Sequence, residues 1–239
     1  MNLDEQFLEK TDKIRLIKLE NENVIRFPDQ NTFNTKVKQI RNPQKEISGG
    51  FFMISCLFMK NIKFSFTKNN KAKSIEHFFR KVFTKSEDKK EGNVVGALSF
   101  KLAKLIDEKN IIGIEGKINN KIVAYTFLTK LSFKEDYLIY LLAPVAVDNK
   151  IQKKGVGKKI IQFGIKYLKE HKVDYLMTYG DPSYYSKVGF KKTKVSIIPA
   201  PYKLSQPIGW LINKISSKKI NKFKSKPNCV RPFRNKKLW

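Results

Sequence analysis

The residues of this chain best suited to chemistry lie between Leu142 and Phe190. Gln152-Lys153-Lys154-Gly155-Val156-Gly157 follows an apolar run and opens an amphipathic one. A strand that delivers a basic, glycine-containing loop to a helix start makes an anion site, because unpartnered N–H groups and the positive end of the helix dipole converge there. Gly155 and Gly157 let the backbone approach an anion with no Cβ in the way. Lys153, Lys154 and Lys158 add charge. The spacing excludes two common phosphate loops. A Walker loop needs Gly at 152 and Ser or Thr at 159, where this chain has Gln152 and Lys159. A dinucleotide fingerprint needs a third glycine where Ile160 stands. Taken alone, the loop reads equally well as a helix start whose glycines serve packing. Further on, Tyr184-Tyr185 precedes Gly189-Phe190. Each phenol is either a proton donor or a core aromatic with its hydroxyl satisfied.

The elements that must hold these residues read as a mixed α/β layer in the order β-α-α-β-β-β-α-β-α-β. Ile62–Phe66 alternates as a strand. Ala72–Phe83 puts Ile75, Phe78, Phe79, Val82 and Phe83 on one helical face. Thr84–Glu91 reads as a charged loop, and Val95–Ile106 as a second helix on Leu98, Leu102 and Leu105. Ile111–Ile118 and Ile122–Leu131 are strands joined by Asn119-Asn120, a pair that tolerates positive φ. Tyr137–Val147 is nearly all apolar and so a central strand buried on both faces. Pro144 inside it cannot donate to a ladder and marks an edge or a bulge, and a bulge would splay the strand from its neighbour. Val156–Leu168 is the third helix, with Val156, Ile160, Gly164 and Leu168 repeating every four. Val173–Tyr179 is a strand, Pro182–Val188 a short helix with Pro at its start, and Phe190 begins the last clear strand.

The formal net charge is +28, and residues 59–239 carry 40 basic and 13 acidic residues against 9 and 8 in residues 1–58. Such charge suits nucleic acid, an anionic membrane or an acidic substrate. The composition favours none of these, because 43 of the basic residues are Lys and 6 are Arg, and evolved phosphate readers favour the bidentate Arg fork. Cys56 and Cys229 sit in unrelated surroundings, which predicts no metal site and fits a reducing cytoplasm. His77 and His171 read as surface decoration. Neither a signal-peptide pattern nor a span-length apolar run is present, so a soluble cytoplasmic protein without membrane contact is expected. Residues 1–58 are charge-balanced and poorly periodic, and are expected to be an extension the domain does not need. Its Gly49–Met59 stretch reads as a buried strand or a hydrophobic plug. Residues 59–205 are expected to form the domain, and 206–239 a basic extension packing on it. That tail carries Trp210, Leu211, Phe223, Phe233 and Trp239 among its lysines, so its aromatics should pack and its lysines turn outward beside an acceptor cleft.

Val-Asp-x-x-x-Gln-x-x-Gly-x-Gly after a buried strand resembles motif A of the GNAT superfamily of acetyl-CoA-dependent N-acetyltransferases. The Leu142–Val147 lead-in, Gly180–Phe190, Leu204–Trp210 and Cys229-Val230 resemble its YhbS-like bacterial branch. The resemblance spans Asn61 to Trp239, strong over 142–210 and weak before Ile111. It implies a GNAT fold, a mixed sheet with splayed central strands, and acetyl-CoA as cosubstrate. By the same resemblance, Val145, Ala146 and Val147 bind the pantetheine arm through backbone groups. The amides from Gln152 through Lys153, Lys154, Gly155, Val156 and Gly157 to Lys158 hold the pyrophosphate. Tyr185 protonates the departing thiolate, and Tyr184 packs. The family's glutamate on the central strand is missing here, since Tyr137–Val147 holds no acid. Glu115, Glu135, Asp136 and Asp181 are the nearest candidates for a base, with Asp181 better suited to capping the short helix, and none is assigned. The implied reaction is direct transfer of acetyl to the amine of an unidentified acceptor in a ternary complex. The rival is an RNA- or ribosome-associated module that keeps the fold without the chemistry. Oligomeric state is not legible.

Overall fold

The computed structural model describes residues 61–68 and 71–239. The expectations for residues 1–58, the Gly49–Met59 strand or plug among them, lie outside the described residues. The chain runs β1 (Lys63–Phe66), α1 (Ala72–Ser86), α2 (Lys89–Ala103), β2 (Ile111–Ile118), β3 (Lys121–Ser132), β4 (Ile139–Val147), α3 (Val156–Glu170), β5 (Tyr175–Tyr179), α4 (Pro182–Tyr185), β6 (Lys191–Lys192), β7 (Trp210–Lys214) and β8 (Asn228–Cys229). The strands form one sheet in the order β1-β2-β3-β4-β5-β7-β6, and β8 pairs with β3. Every pairing is antiparallel except β4 with β5.

Period-2 alternation sends the two sides of each strand into two cores. On one face α1 and α2 bring Ile75, Phe78, Phe79, Val82, Leu98 and Leu102 against Tyr125, Phe127, Leu131 and Leu141. On the other, α3 lies so close that a Cβ on Gly164 would stand 3.1 Å from Ile114, and Phe66 packs on Phe163 and Tyr167. The β2–β3 hairpin turns on Asn119 (φ 46) and Asn120 (φ 61), as the Asn pair predicts. Among the described residues no helix is long and apolar enough to cross a membrane.

Two expectations change. Thr84–Glu91 is no loop: α1 continues to Ser86, and Asp88 caps α2 by accepting the Glu91 N–H at 2.7 Å. The second change is in the tail. Residues 206–239, expected as a basic extension packing on the domain, contribute β7, which pairs with β5 along its whole length and separates it from β6. Trp210, Phe223, Phe233 and Trp239 are buried, and the indole N–H groups of Trp210 and Trp239 donate to the carbonyls of Ile198 (2.9 Å) and Phe233 (3.1 Å).

Candidate active site

Of the edge or bulge expected at Pro144, the bulge is present. Thr126 faces Val145 and Leu128 faces Leu142, so Phe127 alone opposes both Ala143 and Pro144. On its other side β4 follows β5 only through Ile139, Tyr140 and Leu141. Beyond that point β4 stays with β3 and β5 stays with β7, and the two strands part. The backbone from Ala143 to Val147 therefore has no strand partner on the β5 side. A backbone group left in that position needs another partner, and the Thr178 side chain supplies one, its hydroxyl donating to the Leu142 carbonyl at 2.9 Å. The resulting fork is lined on β4 by Ala143, Pro144, Val145 and Val147, all half-buried, while Ala146 is buried opposite Tyr125.

At the end of β4 the chain is pinned before it turns into α3. Gln152 does not reach outward: its side-chain amide donates to the Val147 carbonyl (3.0 Å) and to the Ser86 hydroxyl (3.3 Å). Asn149 donates to the same Ser86 hydroxyl at 2.9 Å. Lys153 sits at φ 61 and Gly155 at φ 81, the left-handed region that favours glycine. Gly155 is the N-cap of α3, no side chain caps it, and the first turn holds no acid. The first-turn N–H groups of a helix have no partner within it. Here they stand beside the exposed Lys153 and Lys158 and the half-buried Lys154, a fit for a diphosphate. Gly157 has a different reason from the one its spacing suggests. The place of its missing Cβ is taken by a phenol, the Tyr184 oxygen lying 2.2 Å from it.

Tyr185 reaches the fork from the far side. Asp181 caps α4, accepting the Ser183 N–H (2.8 Å) and hydroxyl (2.6 Å). The Tyr185 ring lies over Gly180 and edge-on to Phe190. Burial of its hydroxyl end pushes its pKa up to about 12, with the Thr178 hydroxyl within hydrogen-bonding reach pulling part of the way back. A phenol so placed stays protonated across the physiological range. Thr178 was not singled out in the sequence, although a lone polar residue in the apolar run Tyr175–Tyr179 is the available signal. Replacing it with Val leaves the Leu142 carbonyl unpaired, and a loss of about 1–3 kcal/mol in stability is expected from urea melts, together with slower turnover. Unchanged stability and rate would show that neither bond matters.

Three of the four acids nearest in sequence are engaged elsewhere, and the fourth, Glu115, only through one oxygen, its Oε2 having no partner among the described residues. Asp181 caps α4. Glu135 accepts the Lys224 N–H at 2.6 Å. Asp136 pairs with Lys218, and buried Glu115 pairs with Lys117. The Lys218–Lys226 run lies by the β3–β4 turn, where Phe223 packs on Phe133 and Tyr137 and the Tyr175 hydroxyl donates to the Lys218 carbonyl. That is the closed end of the β4–β5 pair, away from the fork, so these lysines do not border it.

A family model described as the acetyltransferase (GNAT) family matches residues 72–190, which takes in both helices, the fork, the loop and Tyr185. The chain belongs to the GNAT family. The uncharacterized N-acetyltransferase YjhQ of Escherichia coli K12 is 27% identical over 112 residues, covering 44% of this chain and 62% of that protein. The match thus spans less than two thirds of that relative. Two solved GNAT structures share the fold. One is YhbS of Escherichia coli in complex with CoA, at a TM-score of 0.61 and 17% identity over 73% of this chain and 93% of that one. The other is an acetyltransferase of Brucella melitensis in complex with acetyl-CoA, at 0.50 and 18% over 70% and 94%.

Proposed function

We propose that this GNAT protein transfers the acetyl group of acetyl-CoA to the amine of an acceptor by direct attack within a ternary complex. One observation carries the reading: an uncapped, lysine-flanked helix start opens onto a strand fork that ends at the half-buried Tyr185 phenol. The amides of the loop and the α3 start, from Gln152 to Lys158, and the lysines hold the diphosphate. The backbone of Val145, Ala146 and Val147, on the edge of β4 that β5 leaves open, binds the pantetheine arm as a strand would. Acetyl-CoA supplies the activated carbonyl. The amine nitrogen forms a bond to that carbon, the carbon–sulfur bond breaks, and Tyr185 gives its proton to sulfur. The extra proton on nitrogen leaves to water, water returns a proton to the Tyr185 phenolate, and no acid is assigned as the base. Rate comes mainly from alignment in the fork and from donors aimed at the developing charge.

Calorimetry with acetyl-CoA tests the reading. Binding should raise stability by about 2.7 kcal/mol at a hundred times the dissociation constant. Gly155→Glu puts a side chain at positive φ and a negative charge at the diphosphate, and its expected outcome is loss of binding in a protein that still folds. Retained affinity in that variant would place the cofactor elsewhere. An acceptor screen reading free CoA thiol then identifies the amine.

A further inference from the structure

Tyr184 joins the two halves of this site. Its ring stands edge-on to Tyr185, with centroids 5.1 Å apart and planes at 86°. A Cβ on Gly157 would meet the Tyr184 oxygen at 2.2 Å and the Val147 Cγ2 at 3.5 Å. The phenol, the second residue of α3 and the last residue of β4 therefore meet at one point, where the helix start passes into the fork. Tyr184 is 39% exposed as a residue, and the partial burial of its phenol raises its pKa. Among the described residues that hydroxyl has no hydrogen-bond partner. A phenol O–H both donates and accepts, so this one is available to a ligand oxygen at that point.

We propose that Tyr184 is a cofactor-binding residue, its hydroxyl donating to an oxygen of acetyl-CoA where the diphosphate meets the pantetheine arm, and that residue 157 is glycine in order to seat this phenol. The inference rests on the site as read above. The chemistry of that junction suits it, because phosphoryl oxygens, a hydroxyl and an amide carbonyl succeed one another there and all accept from a phenol. It also separates the two adjacent tyrosines. Tyr185 serves the reacting sulfur, and Tyr184 fixes the arm that carries it.

The test is calorimetry of the full-length protein with CoA for wild type, Tyr184→Phe, Gly157→Ala and the double variant, with melting temperatures taken in parallel. Tyr184→Phe should weaken CoA about 2- to 12-fold, the worth of one hydrogen bond, at an unchanged melting temperature. Gly157→Ala should lose at least as much, because the new methyl group drives the phenol off its seat. The double variant should bind no more weakly than Gly157→Ala alone. With the hydroxyl gone, the nearest ring carbon is 3.4 Å from the added Cβ, an ordinary contact. Wild-type affinity in Tyr184→Phe, or losses that multiply in the double variant, overturns the proposal. If Gly157→Ala does not fold, Tyr184→Phe decides by itself. Should Gly155→Glu also keep wild-type affinity, the whole site reading fails. If Gly155→Glu loses CoA while Tyr184→Phe does not, this inference alone fails.

Discussion

Tyr185→Phe is expected to lower kcat by about 10²- to 10⁴-fold, the range of a lost general acid, while acetyl-CoA affinity stays close to wild type. In the proposed reaction the hydroxyl acts as sulfur takes on charge, so its loss should fall on the chemical step and not on ground-state binding. Phe keeps the ring over Gly180 and against Phe190, so the fold is not disturbed. The pH profile adds an independent readout. Desolvation raises the phenol to about 12, and the protonated form is the active one. Turnover should therefore show no alkaline fall due to Tyr185 until pH approaches that value. Full turnover in the Phe variant would move proton donation to water.

A chain cut after Tyr202 does not fold. It lacks β7, so β5 loses its antiparallel partner and β6 its only one. It also lacks Leu204, Trp210, Leu211, Phe223, Phe233 and Trp239, all buried. Truncating one such aromatic to Ala costs about 3–5 kcal/mol, against a total stability of about 5–15 kcal/mol for a domain. The single change Trp210→Ala is the graded version, and it should lower stability by about 3–5 kcal/mol and leave the Ile198 carbonyl without its indole donor. Circular dichroism melts of both proteins decide the matter. A truncated chain that melts like the full one would contradict the seating of β7 in the sheet.

The parts of the fold that the sequence showed are those with a strong local period or a residue of fixed conformational meaning. The alternation of Ile111–Ile118 and the fourfold repeat from Val156 to Leu168 mark β2 and α3 directly. Asn119-Asn120 mark the hairpin, and Pro144 marks the bulge that opens the fork. What failed was decided by tertiary contact. Thr84–Glu91 is charged because it is exposed, yet α1 runs on to Ser86 and α2 starts at Lys89, with Gly92 packed against α1: a Cβ there would stand 2.8 Å from the Thr84 nitrogen. An exposed, charged segment carries no apolar period to mark either helix end. Trp210–Lys214 is only five residues long and lies in a strongly basic stretch, so its strand character depends on the neighbours β5 and β6. At the site, the glycine loop could be read from spacing and Tyr185 only from the family resemblance. Thr178 and the seat of Tyr184 on Gly157 could not, since each pairs residues far apart in the chain and close only across the fork.

The place of β7 also bears on the order in which the molecule is made. Synthesis releases the chain at roughly 5–20 residues per second. The 35 residues that follow Tyr179, up to Lys214, thus take about 2–7 s. During that interval β5 has emerged with one flank bare, and the fork beside it has nothing to hold its outer arm. The newborn protein carries an unpaired strand edge, the kind of surface that invites pairing with other chains. The lysines that follow Asp181, uninterrupted by any acid, give such intermediates a common positive sign.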